Sequence, residues 1–235
     1  MRFSRGLAAL IFIIFFQNIL LADEYLYKDE VLHNPEFRQS INKLGGELFD
    51  KTGIKLRLVS IKKIEGYKTI FEYEKDLIKE FNEPTILLIF SELDMKVDIY
   101  VSDNSLYKYF DKEQVLSPAA SPMQAVAIAV TNATSFETFM AMLGNYGGTI
   151  LPLIGLKAKE ETLGKYSAAL YNGYADIAEQ VANSKDGIVL ENEAGNANKL
   201  AILALKTFFY GFIIYAIIQY IRRILYRRKH KNEFE

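Results

Sequence analysis

Hydrophobic residues change period several times along this chain, and the changes outline its elements. Phe37, Ile41, Leu44 and Leu48 recur at 4-3-4 spacing, which predicts a helix with one apolar face. Asn34-Pro35 supplies a cap and a first-turn proline, and Gly53 a C-terminal stop. The pair Gly45-Gly46 is costly inside a helix, about 1 kcal/mol each relative to alanine, and marks close packing or a bend. In "IKLRLVSI", residues 54–61, Ile54, Leu56 and Leu58 alternate with Lys55 and Arg57, predicting a strand with one partly wet face. Residues 67–81 form a second helix with Tyr67, Ile70, Phe71, Leu77, Ile78 and Phe81 on one side. "PTILLIFS", residues 84–91, is continuously apolar, as a central strand covered on both faces should be. Strand, helix and strand in succession predict a right-handed parallel unit. A four-residue turn, Ser91 to Asp94, then leads into "KVDIYVS", residues 96–102, as an antiparallel hairpin with Val97, Ile99 and Val101 inward. This topology places Asn82-Glu83 and Asp103-Asn104 at one edge of the sheet.

From Gln114 to Leu156 the alternation gives way to a stretch whose single charge is Glu137. It reads as a core or interface insertion. Asn145, its glycines and Pro152 oppose a second spanning helix over residues 138–156. A last helix is expected over 157–183, with Leu163, Tyr166, Leu170, Tyr174, Ile177 and Val181 as a core stripe. Residues 184–198 read as a polar linker with a short strand at 187–190.

Both ends are membrane-directed. Residues 1–22 carry Arg2 and Arg5 before an apolar run, Leu7 to Leu21, and end in Ala22: a signal peptide or an uncleaved anchor. Near the other end, residues 199–221 carry only Lys199 and Lys206 as charges and supply about the 20 residues a membrane span requires. Arg222, Arg223, Arg227, Arg228, Lys229 and Lys231 follow, and such a basic cluster marks the cytoplasmic side. The expectation is a single-pass protein of a bacterial inner membrane. Its main domain, residues 23–183, faces the periplasm, and its tail, residues 222–235, is cytoplasmic.

Charge and composition then narrow the chemistry. The 235 residues have a net charge of −1, so no basic field points to nucleic acid. No cysteine is present, which excludes disulfides, thiolate catalysis and cysteine-ligated metals. Two histidines, His33 and His230, do not supply a multi-histidine metal site.

The order of elements resembles the TPM-domain family across about residues 25–183. The matching segments are "FDKTGIKLRLVSI", "TILLIF", "KVDIYVS" and "ILPLIGLKAKEETLGKYSAALYNGYADIAEQVA". The resemblance implies a three-layer α/β/α sandwich around a mixed sheet. It also implies a part in assembling, repairing or regulating membrane protein complexes, and, for some members, metal-dependent phosphatase activity. The chain departs from the family pattern at Asn82-Glu83-Pro84, where an Asp-Asn-Gly-like turn is usual. Tyr100 stands for a glutamate, Ser102 and Asn104 stand for glycines, and the early acidic motif is reduced to Asp29-Glu30.

Two functions follow as expectations. The favoured one is a non-catalytic module that binds a membrane protein partner through the low-charge stretch. The alternative is a phosphatase in which Asp29, Glu83, Asp103 and Asn104 hold Ca²⁺, Mg²⁺ or Mn²⁺, because hard cations take oxygen ligands.

Overall fold

The computed structural model describes residues 25–155, 162–185, 187–191 and 195–229, with side chains in the last segment from 207 to 226. The expected signal peptide and His230 lie outside the described residues. The chain divides into two units, one ending at Glu193 and one comprising Ala194–Glu235.

The first unit is a mixed α/β domain on a four-stranded sheet. Strands β1 (Leu26–Asp29), β2 (Lys55–Ile61), β3 (Thr85–Ser91) and β4 (Lys96–Val101) lie in sequence order. β1 and β2 run parallel to β3, and β4 is antiparallel to it. The β2–β3 parallel unit and the β3–β4 hairpin have the expected topology. β1 was not expected: four residues with only two apolar positions carry too little pattern to distinguish a strand from a loop.

Helix α1 (Pro35–Thr52) begins where its cap signals place it. Asn34 Oδ1 accepts the backbone N–H groups of Glu36 and Phe37, and Gly53 ends the helix at φ 70°. Phe37, Ile41, Leu44 and Leu48 are buried. Gly45 is required by close approach, because a Cβ there would lie 2.3 Å from the Tyr174 hydroxyl and 2.5 Å from the Tyr25 ring. That hydroxyl belongs to helix α7 (Thr162–Ser184) and donates to Leu56 O at 2.7 Å. Leu56 lies two residues before Leu58, the first β2 residue paired to β1 among the described residues, and here a side chain satisfies the carbonyl.

Alternation along β2 and β3 divides the core between the two faces. Leu56, Leu58, Ile86, Leu88 and Phe90 pack with α1 and α7. Val59, Ile61, Leu87 and Ile89 pack on the other side with helix α2 (Ile70–Leu77) and the 3₁₀ turn Ile78–Glu80. All seven β3 residues are buried, as expected of a central strand. Arg57 departs from the expected wet face and is 5 % exposed. The second helix is also shorter than expected: Tyr67 and Phe71 are exposed, and the buried positions are Glu74, Leu77 and Ile78.

Beyond β4 come a 3₁₀ helix (Asn104–Tyr109) and four short helices. They are α3 (Lys112–Val115), α4 (Pro122–Asn132), α5 (Phe136–Gly144) and α6 (Leu151–Ile154). Residues 145–150 are not helical, so 138–156 is not one continuous helix. In α7, Tyr166, Leu170, Tyr174, Ile177 and Val181 are buried as the stripe requires, and Leu163 is exposed. Residues 187–190 do not form the expected strand. The N–H groups of Gly187 and Ile188 instead return to the carbonyls of Asn183 and Ala182 and close the end of α7.

The second unit is one long helix, α8 (Gly195–Lys229). Its stretch Thr207–Tyr226 is long and apolar enough to cross a membrane, and none of it is buried.

Candidate functional site

The four residues chosen from the sequence occupy three separate places. Asp29 ends β1 opposite Ser60, which pairs with Phe90 near the end of β3. Glu83 precedes the start of β3. Phe90 and Thr85, the first β3 residue, are about 16 Å apart along the strand at ~3.3 Å per residue, and Glu83 lies two residues further on. The Asp29 carboxylate closes the loop into α1 by accepting the N–H groups of Val31, Leu32 and His33 at 3.2, 2.8 and 2.9 Å.

Glu83 and Asp103 do share a sheet edge, as the hairpin topology requires. Ser102 N–H donates to Thr85 O, and Thr85 N–H donates to Ser102 Oγ, both at 2.9 Å. Their carboxylates serve different partners. Glu83 takes an ion pair from Arg57 and another from Lys55 at 3.2 Å. Burial pushes the Glu83 carboxyl up, but the hydrogen bonds from Arg57 and Lys55 outweigh it and hold it below the usual range. The Arg57 guanidinium lies 4.2 Å from the Phe81 ring centre, a cation–π contact that helps an arginine tolerate burial. Asp103 caps the 3₁₀ helix through Ser105 N–H at 2.7 Å, and this bonding lowers its pKa. Asn104 is the exposed first residue of that helix. Among the described residues, no three His, Cys, Asp or Glu side chains converge on a point a metal ion could occupy. The expected cage is thus replaced by a loop cap, an ion-pair anchor and a helix cap.

Two other features carry the unusual chemistry. The first is Glu74, on the sheet-facing side of α2 and 0 % exposed. Neither of its carboxylate oxygens has a hydrogen-bond partner among the described residues. Burial, reinforced by the negative charge of Asp98 and opposed by Lys112, pushes its pKa up to about 8. The neighbouring Tyr107 hydroxyl is pushed up to about 12, first by burial and then by Asp98 and Glu74. A sequence signal for Glu74 existed: it falls midway between Ile70-Phe71 and Leu77-Ile78, inside the apolar stripe.

The second is the α4–α5 hairpin. Each helix starts at a serine cap, Ser121 and Ser135, the latter with a full capping box with Thr138. Ala125 and Ala129 are buried, but α5 buries no residue at all. Met123, Val126 and Val130 on α4, and Phe136 and Met140 on α5, are exposed, Met123 at 81 % and Phe136 at 79 %.

No family model matches the chain, and no curated protein matches it. Among solved structures, the chain is similar to the NMR structure of BA42 protein from the psychrophilic bacterium Bizionia argentinensis sp. nov. The identity is 14 %, the TM-score 0.38, and the match covers 71 % of this chain and 97 % of that one.

Proposed function

We propose that the chain is a membrane-tethered, non-catalytic binding module of the TPM type, with an α/β/α domain held outside the cytoplasm by α8. Its partner is an apolar helix of an integral membrane protein, docked on the α4–α5 hairpin during assembly or quality control of a membrane complex. The observation that carries this reading is the exposed apolar side of that hairpin, with Glu137 as its one charge.

A protein partner fits this surface better than lipid does. Helices that lie in a lipid interface carry lysine and arginine on their polar face, and 114–156 has neither. The hairpin tip is polar, with Thr131, Asn132, Thr134 and Ser135. Methionines at 123 and 140 provide the adaptable contacts typical of helix-binding grooves.

The test is photo-crosslinking in intact membranes from a probe at Met140 of the full chain. An adduct with one integral membrane protein, lost in a Val126→Asp/Val130→Asp variant of unchanged thermal stability, supports the reading. Adducts with lipid alone, with a second copy of the chain, or insensitive to the aspartates overturn it.

A further inference from the structure

A buried carboxyl with no hydrogen-bond partner is rare and demands a reason. Glu74 packs against the edge strand β4, and the groups facing it come from three elements. These are Asp98 on β4, Tyr107 on the 3₁₀ helix and Lys112 on α3, with Tyr100 of β4 beside Tyr107 and against Phe71. Asp98 and Lys112 form an ion pair at 2.6 Å. Lys112 Nζ also donates to Ile99 O at 2.7 Å, and the Tyr107 hydroxyl donates to the same oxygen at 3.3 Å. Ile99 N–H donates to Asp98 Oδ1 at 2.7 Å. Side chains therefore occupy both backbone groups of Ile99, on a strand with no further sheet neighbour among the described residues. An open edge invites pairing with another chain, and this clasp closes it.

We propose that Glu74 is a proton-operated latch: its neutral carboxyl lets the Asp98–Lys112–Tyr107 clasp hold residues 104–115 against the β4 edge, and its ionisation loosens them. The ionised form puts a second negative charge near Asp98 on oxygens that no described group hydrogen-bonds. Lys112 is then drawn between two carboxylates and away from Ile99 O. The ligand is a proton rather than a metal ion because the Lys112 ammonium already fills the cation position against Asp98 Oδ1 and Ile99 O. Residues 104–115 lead directly into the α4–α5 hairpin, so the latch sits at the root of the apolar surface. The latch operates whatever that surface binds.

The experiment is hydrogen exchange of the full chain in detergent micelles between pH 5 and 9.5, corrected for intrinsic rates. The opening constant of residues 97–116 should rise by up to about tenfold per pH unit below pH 8 and level off above it. The strands β2 and β3, which open only when the whole domain unfolds, should keep a far smaller opening constant at every pH. Glu74→Gln should remove the dependence. A second readout needs no variant: the ¹³C resonance of the Glu74 carboxyl should titrate near pH 8. A dependence that survives Glu74→Gln, an opening constant of residues 97–116 no larger than that of the central strands, or a carboxyl that titrates below pH 5.5 overturns the latch.

Discussion

At the residue scale, burial separates the acidic side chains that matter to stability from those that only shape loops. Glu83 neutralises Arg57, whose side chain is 6 % exposed, while Asp103 lies on the surface and caps one turn. Glu83→Gln should therefore destabilise the domain by roughly 1.5–3 kcal/mol, the loss of charge-assisted hydrogen bonds from Arg57 and Lys55. Asp103→Ala should cost less, since only one exposed cap is lost. Denaturant melts of the two variants side by side check the order. Gly45→Ala sets two effects against each other. Helix propensity favours alanine by about 1 kcal/mol. The new methyl, however, meets the Tyr174 hydroxyl and the Tyr25 ring, and overpacking costs ~1–3 kcal/mol. The expected sign is destabilising, and a melt at one pH checks it. Glu74 carries the pH dependence. Its folded pKa is raised, from 4.5 to about 8, so its favourable contribution is complete below pH 4.5 and is lost as pH rises through 8. Glu74→Gln should match the native protein at pH 4.5 and exceed it by a few kcal/mol at pH 9, read by melts at the two values.

At the element scale, legibility followed the amount of periodic pattern each element carries. α1 was readable to the residue because cap, first-turn proline, apolar stripe and terminal glycine all agree. β3 was readable because a continuously apolar run admits few alternatives. β1 was not, because its burial depends on α1 and β2 rather than on its own sequence. The residues at 83 and 103 were correctly placed at one edge, yet their side chains turn to different partners. Register is written in the pattern, but rotamer direction is decided by neighbours such as Arg57. Residue 74 carried a signal, its place inside the apolar stripe, but helical spacing does not say whether a glutamate there is buried or reaches out to solvent. The low-charge stretch was legible as unusual but not as two capped helices. The hairpin gives a further expectation at this scale. Val126→Asp/Val130→Asp alters exposed positions only, so the melting temperature should stay within about 2 °C, as surface substitutions usually do.

At the scale of the whole molecule, membrane orientation governs everything else, since a docking surface and a latch act only on the side where they are placed. The chain contains no cysteine, so any single introduced cysteine is a unique reporter of topology. Glu65 and Asn232 are suitable positions, one in the loop before α2 and one in the basic tail. The flanking charges are asymmetric: six lysines and arginines follow the apolar stretch, whereas Lys199 and Lys206 precede or border it. With that asymmetry, a membrane-impermeant maleimide should label Glu65→Cys once the outer envelope is opened, and label Asn232→Cys only after the inner membrane is permeabilised. The reverse pattern would place the hairpin in the cytoplasm and remove the exported reading. Labelling of both without permeabilisation would mean that Thr207–Tyr226 does not span, and its exposed apolar side chains would then need a protein cover instead of lipid. Each result also fixes the pH that reaches Glu74, because the two sides of an energised membrane differ in proton concentration. The topology measurement therefore decides whether the latch would answer to the cytoplasm or to the medium outside it.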